Sequence, residues 1–207
     1  MTAHNKPILA SCWSCRGAVS DGIAFCETCG AVQPPGRSDH FARLGLERGF
    51  DINADDLQAR YFAAQRRLRP DRFAGRSERE RAISMQQSTS INEAFETLKS
   101  PLKRAEYLLS LAGVTVNAET GNLPTDAEVL GEAMEVREAL AEADTVAAVE
   151  DLATEIKDRA EACRRNLGEA FSAAETARAA SLATRLKYLD RFAGDVRARL
   201  ANLSAAS

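Results

Sequence analysis

Four cysteines stand within the first thirty positions as two C-x-x-C pairs, Cys12-Trp13-Ser14-Cys15 and Cys26-Glu27-Thr28-Cys29, with ten residues between them. Two such pairs on two tight turns can present four thiolates tetrahedrally, an arrangement that suits Zn²⁺. Gly30 follows the second pair, where the backbone must turn sharply to aim its amides at the sulfurs. The segment is too short for a hydrophobic core, so bound metal must supply its folding energy, on the order of 10 kcal/mol. Iron binds the same thiolates. Two disulfides or a redox-active pair are the other readings. The start, Met1 to Lys6, has neither an apolar signal core nor an Arg-rich presequence, so a cytoplasmic chain is expected and disulfides are disfavoured.

A second constellation is Leu68-Arg69-Pro70-Asp71-Arg72-Phe73, set between two helical patterns. Proline fixes φ and offers no donor, while the Asp carboxylate projects beside it, so the turn is small and rigid. From Leu57 to Arg72 there are five arginines, Arg60, Arg66, Arg67, Arg69 and Arg72, against Asp71 alone. From Asp126 to Glu142 six acidic residues face Arg137 alone. Two segments of opposite sign suggest two different partner surfaces.

Other chemistry is missing. There is no phosphate-cradling glycine loop, no G-x-S-x-G elbow and no H-E-x-x-H, and His4 and His40 are the only histidines. Nothing pairs a general base with a pocket, so no enzymatic role is expected. The net charge of −3 argues against a dedicated nucleic-acid binder, and no apolar run reaches the length of a membrane span. The chain reads as a binder of other proteins.

The elements that must position these residues are helices. Gln33-Pro34-Pro35-Gly36-Arg37-Ser38 ends the cysteine segment as a turn-rich linker. Asn53 is a plausible N-cap for a helix running to about Leu68, with Leu57, Tyr61, Ala64 and Leu68 on one face. A longer helix covers roughly Ser77 to Lys99, with Met85, Ser88, Ile91, Phe95 and Leu98 inward. Ser100-Pro101 marks a break, and the next helix runs to Leu111. Beyond a glycine-containing connector come three more helical patterns. The first, about 126–143, carries Val129, Ala133, Val136 and Leu140 as its core stripe. The second, about 145–170, buries Cys163 as a small hydrophobe. The third opens with Ser172-Ala173-Ala174-Glu175, a capping-box pattern, and continues with Leu182, Leu186, Leu189, Ala193, Val196, Leu200 and Leu203 in a coiled-coil-like seam. Such helices close an antiparallel bundle. On the first of them Leu130 and Met134 form a second aliphatic row, flanked by Glu135, Glu138 and Glu142. That face either widens the core stripe or grips a partly basic partner.

The run Ser90 to Leu111, SINEAFETLKSPLKRAEYLLSL, resembles the closing segment of the J-domain in the HscB family of iron–sulfur cluster co-chaperones. Asn92, Ala94, Phe95, Thr97, Leu98, Pro101, Leu102, Arg104, Ala105, Tyr107, Leu108, Leu109 and Leu111 fit its pattern N-x-A-[FYW]-x-T-L…P-L-x-R-A-x-Y-L-L-x-L. Some members also carry a C-W-x-C…F-C-x-x-C…Q-x-P knuckle, matched here by Cys12-Trp13-Ser14-Cys15, Phe25-Cys26 and Gln33-Pro34-Pro35. Arg69 stands where the family has His in a His-Pro-Asp loop, and His40 stands where it has Tyr.

The resemblance implies a mainly α fold: a J-domain helical hairpin, a C-terminal antiparallel three-helix bundle and a small N-terminal zinc knuckle. The implied organisation is a tail over 1–10, the knuckle over 11–35, a J-domain over 38–112, a connector over 113–125 and a scaffold-binding domain over 126–204. Cys12, Cys15, Cys26 and Cys29 would hold structural zinc. Arg60, Arg66, Arg67, Arg69, Pro70 and Asp71 would meet a DnaK/HscA-type chaperone ATPase. Leu130, Met134, Glu135, Glu138, Glu142 and Tyr188 would meet an IscU-like scaffold protein, with Gly131 where many members have methionine. A homodimer through the knuckle is compatible with the sequence. The implied function is delivery of the scaffold to the chaperone, with regulation of its ATPase. The alternatives are a degenerate J-protein that binds scaffold without stimulating ATP hydrolysis, and a thiol or metal redox sensor.

Overall fold

The computed structural model describes residues 9–20, 22–114 and 127–205. The expected tail (1–10) and connector (113–125) fall largely outside them, as do the side chains of Pro70 and Leu130. The chain divides into two compact units, Met1–Arg48 with Ile52–Ser100, and Gly49–Asp51 with Pro101–Ser207. Among the described residues the regular structure is helical apart from one two-stranded sheet, as the apolar periodicity predicts.

In the first unit β1 (Leu9–Ser11) and β2 (Ala18–Ser20) pair antiparallel, Leu9 opposite Ser20, and an isolated bridge joins Phe25 to Val32. The Asp39 carboxylate caps the short helix α1 (His40–Arg43) by accepting from the Ala42 N–H at 2.8 Å, and it also pairs with Arg48. Asn53 caps α2 (Ala54–Leu68) as expected, accepting from the N–H groups of Asp55 and Asp56. Pro70–Phe73 forms one 3₁₀ turn. Ser77 and Glu80 make a reciprocal capping box that opens α3 (Glu78–Lys99).

The buried face of α3 is Ile83, Ser84, Gln87, Ile91, Ala94 and Leu98. Met85, expected inward, is 61 % exposed. The stripe is rotated because Ser84 and Gln87 are buried with hydrogen-bond partners, and paired polar side chains occupy a core face without penalty. Asn92 accepts from the Tyr61 hydroxyl and from the Gln65 amide of α2, and Tyr61 stacks on Phe95 at 4.1 Å between centroids.

In the second unit, α4 (Pro101–Leu111), α6 (Val146–Ser172) and α7 (Thr176–Ala205) share one apolar core with Phe50. Arg104 of α4 lies over the Phe50 ring at 5.0 Å, and Phe50 stacks on Phe171. Helix α5 (Ala127–Glu142) packs through Val136 into a second cluster with Val149, Leu152, Ile156, Phe192 and Val196. Cys163 is buried in the first of these cores, and burial pushes its thiol up to about 11, so it behaves as a hydrophobe.

One expected boundary is wrong. Ser172 does not cap α7; it is the last residue of α6. The helix ends through Ala174 in the left-handed region (φ 56°), with the Glu175 N–H donating to Ala170 O and the Ala174 N–H to Phe171 O. That is a Schellman closure made by alanine, and no glycine announces it in the sequence.

Candidate functional site

The two C-x-x-C pairs fold into near-duplicate turns. The Arg16 N–H donates to Cys12 O at 2.9 Å and the Gly30 N–H to Cys26 O at 2.8 Å, and both residues lie in the left-handed region, φ 64° and 71°. Cys12 N–H then donates to Gly17 O, and Cys26 N–H to Ala31 O. Each turn therefore buries its first cysteine, Cys12 or Cys26, and leaves its second, Cys15 or Cys29, at the surface.

The four sulfurs lie within 4.8 Å of one another. Cys12 and Cys29 approach to 3.7 Å, as do Cys15 and Cys26. A disulfide needs about 2.05 Å. A tetrahedral site with metal–sulfur bonds of about 2.3 Å has sulfurs about 3.8 Å apart, and the distances fit that geometry. Backbone N–H groups of Ser14 and Gly17 point at Cys12 and Cys15, and the Gln33 amide donates to Cys12 at 3.3 Å. The hydrogen bond with the Cys15 backbone, opposed by burial, brings the Cys12 thiol down to about 6. Cys15 sits up at about 11: the Gly17 N–H draws it down, but the Cys29 thiol and burial outweigh that pull. Such a donor set gathers negative charge that a cation must balance, so the residues fit a tetrathiolate metal.

The knuckle is fastened to the helical hairpin of its own unit. Trp13 donates to Val32 O at 2.7 Å while the Arg79 guanidinium of α3 lies 4.5 Å over its ring. Arg67 of α2 lies 4.8 Å over the Phe25 ring. Gln87 of α3 donates to the buried Gln33 carbonyl at 2.8 Å. Sequence reasoning missed these partners, because a cation–π contact between distant segments leaves no periodic signal.

The Arg69-Pro70-Asp71 turn is held from below. Ser84 and Ser88 of α3 both donate to the last carbonyl of α2, Leu68 O, at 2.9 and 3.1 Å. Arg72 donates to Arg66 O, and Arg81 donates to the carbonyls of Ala74 and Arg76. Buried Phe73 plugs the turn into the core. Arg69 is extended, as a residue before proline must be, and its Nε lies 3.2 Å from Asp71 Oδ1, with both side chains 63 % exposed. Arg66 and Arg67 are exposed beside the turn. Arg60, one turn and more away, bonds instead to Asp56 and to Gly45 O.

In the second unit Met134 is 63 % exposed and Glu135, Glu138 and Glu142 are all at the surface. Met134 and the half-buried Tyr188 of α7 line one open cleft of about 240 Å³ with Ala133, Arg137, Arg191 and Phe192. Met134 is not part of the core. Two arginines edge this cleft, and the acidic row does not line it. Glu132, absent from the expected set, forms an ion pair with Arg185 that ties α5 to α7.

Residues 125–197 match the family described as the HSCB C-terminal oligomerisation domain. The iron-sulfur cluster co-chaperone protein HscB of Mus musculus is 34 % identical over 190 residues, 90 % of this chain and 81 % of that protein. The crystal structure of human co-chaperone protein HscB superposes with a TM-score of 0.85 at 32 % identity, covering 92 % of this chain and 98 % of the other. Chaperone HscB from Vibrio cholerae gives a TM-score of 0.72 at 34 % identity, over 80 % of this chain and 99 % of that one. With a four-cysteine knuckle, a Pro-Asp hairpin and a helical bundle in that order, the chain belongs to the HscB family of co-chaperones.

Proposed function

We propose that this chain delivers an iron–sulfur scaffold protein to a DnaK/HscA-type chaperone and regulates that chaperone's ATPase during cluster assembly. The carrying observation is the turn: Pro70-Asp71 projects from a hairpin whose last α2 carbonyl is clamped by two serines, beside exposed Arg66 and Arg67. A rigid acidic tip beside basic side chains suits docking on another protein with salt-sensitive encounter. The α5 face with Met134, Glu135, Glu138 and Glu142, joined by Tyr188 of α7, is the proposed scaffold surface. Its exposed methionine in a cleft supports that role. Zinc is the metal assigned to Cys12, Cys15, Cys26 and Cys29. It would supply structural cross-linking and no chemistry of turnover.

One observation favours a second reading, a J-protein that binds scaffold and triggers ATP hydrolysis poorly. Arg69, where the family has His, folds onto Asp71. A guanidinium is bulky and permanently charged, and it occupies the carboxylate that the turn presents. An exposed pair is worth at most about 1 kcal/mol, so its opening alone costs docking no more than about fivefold. Any larger deficit must come from the size and shape of arginine.

The test is stimulation of the chaperone's ATPase, with and without scaffold, by wild type, Arg69→His and Asp71→Asn. We expect weak stimulation by wild type and a several-fold gain on Arg69→His. Full stimulation by wild type, abolished in Asp71→Asn, would show that the turn tolerates arginine and remove the second reading. Neither binding nor stimulation by any variant would reject the chaperone role. For the scaffold face, Leu130→Ala with Met134→Ala should weaken scaffold binding at least tenfold, about 1.4 kcal/mol, with little change in Tm. A collapse of Tm with affinity intact would assign that pair to the core.

A further inference from the structure

Between the metal knuckle and the hairpin, inside the first unit, lies an open cleft of about 530 Å³. One wall is knuckle: Phe25, Cys29, Gly30 and Ala31. The other is hairpin, and it carries Arg67, Arg72 and Arg76 with buried Phe73 at its base. Glu80 is the one carboxylate in the lining, and it also accepts from the N–H and hydroxyl of Ser77. Three arginines therefore line the cleft against one glutamate and the rim of the cysteine cluster. The Phe25 ring holds Arg67 in place by its cation–π contact, so part of this charge is preorganised by the knuckle.

We propose that this cleft is a docking surface for a carboxylate-bearing segment of the chaperone ATPase, which makes the knuckle part of the chaperone interface. The inference rests on the chaperone reading above. Continuity selects that partner: Arg72 and Phe73 belong to the same 3₁₀ turn as Asp71, so a protein seated on the turn meets the cleft without leaving the surface. Charge selects the contact, because three arginines on an open face suit carboxylates in bidentate pairs. The knuckle acts twice, as a wall and as the support of Arg67. Arg76 lies outside both the basic helix and the metal loop, so it probes the cleft without disturbing either.

The experiment uses the full zinc-loaded chain and the chaperone from the same source, with binding read by interferometry at low and moderate salt. Arg76→Glu should weaken chaperone binding at least tenfold and flatten its salt dependence, while Arg76→Lys stays within about threefold of wild type. Phe25→Ala, with zinc retained, should lose several-fold by releasing Arg67. Scaffold affinity should be unchanged in all three. If Arg76→Glu and Phe25→Ala bind the chaperone within twofold of wild type while Asp71→Asn still loses stimulation, the cleft plays no part and the chaperone role survives. Saturable binding of inorganic phosphate at Arg76, with chaperone affinity indifferent to Arg76→Glu, would give the cleft to a small anion and overturn the proposal. If wild type does not bind the chaperone, both readings fall.

Discussion

In the knuckle the buried hydrophobic cluster is Cys12, Val19 and Cys26, with Ile23 and Ala31 against it. In α6 the buried positions Val149, Leu152, Ile156, Ala160, Cys163 and Leu167 recur every three or four residues; the first three cluster with Phe192 and Val196 of α7, and the last three with Ala179, Ala183, Leu186 and Leu189. The bundle is stabilised by area. Each buried aliphatic contributes about 1.5–3 kcal/mol, and many small terms add up. The knuckle has too few such terms to order its backbone at about 1 kcal/mol or more per residue, so its stability is concentrated in four sulfurs. Distributed stabilisation tolerates the loss of one contact, whereas concentrated stabilisation fails as a unit.

Removing the metal is the sharpest way to break this contrast. Cys26→Ser with Cys29→Ser, or a strong chelator, should abolish metal binding and unfold the knuckle, a loss of about 10 kcal/mol of local folding free energy. Helical circular dichroism should barely change. Stoichiometric zinc in the double variant would sink the tetrathiolate assignment. A smaller effect is expected in the bundle. Leu167→Ala, at a fully buried site, should cost about 2–5 kcal/mol and lower Tm while the metal content measured by elemental analysis stays the same. Loss of metal in that variant would show that the two regions do not fail separately. The smallest effect sharpens the comparison within the knuckle itself. Arg16 occupies the left-handed turn that Gly30 occupies in the duplicate loop, at a cost of about 1–2 kcal/mol for a residue with a Cβ. Arg16→Gly should therefore tighten zinc retention by up to tenfold in a chelator competition, and unchanged or weaker retention would mean that the arginine side chain compensates its backbone.

The two regions were also unequally legible in the sequence. Metal spacing is a local property, and the four cysteine sulfurs cluster as the C-x-x-C pattern leads one to expect. Helix periodicity is local as well, and the stripes of α5, α6 and α7 hold. The seam of α7 is joined by Ala179, Ala180 and Phe192, which its four-and-three spacing does not include. Pairing across segments was not legible. Ser84 and Gln87 look polar, and an apolar stripe omits them, yet each satisfies a carbonyl from another segment. Trp13 and Phe25 are conspicuous beside their cysteines, but nothing in the chain order points to Arg79 and Arg67. The residues of the family-like run 90–111 prove to be largely packing residues: Ala94, Leu98, Ala105 and Leu109 are fully buried. The signature that marks the family is thus in good part packing, and the proposed partner surfaces lie outside it.

The first turn of α1 carries a consequence in terms of protons. Burial works against the Asp39 carboxylate, but the Ala42 N–H and the Arg48 guanidinium prevail and hold it below its ordinary 3.8. Burial, with Arg43 alongside, holds the His40 imidazole below its ordinary 6.5, while Glu93 and Asp39 pull it back only in part. In both cases the unfolded chain binds a proton more readily than the folded one, so both contributions have the same sign. Stability from His40 is complete above about pH 6.5 and fades below it; stability from Asp39 follows as pH falls through the carboxylate range. The unit that carries the knuckle and the hairpin is thereby biased to loosen on acidification. Asp39→Asn with His40→Tyr should flatten the acid limb of its denaturation curve, and an unchanged limb would place the proton-sensitive groups elsewhere.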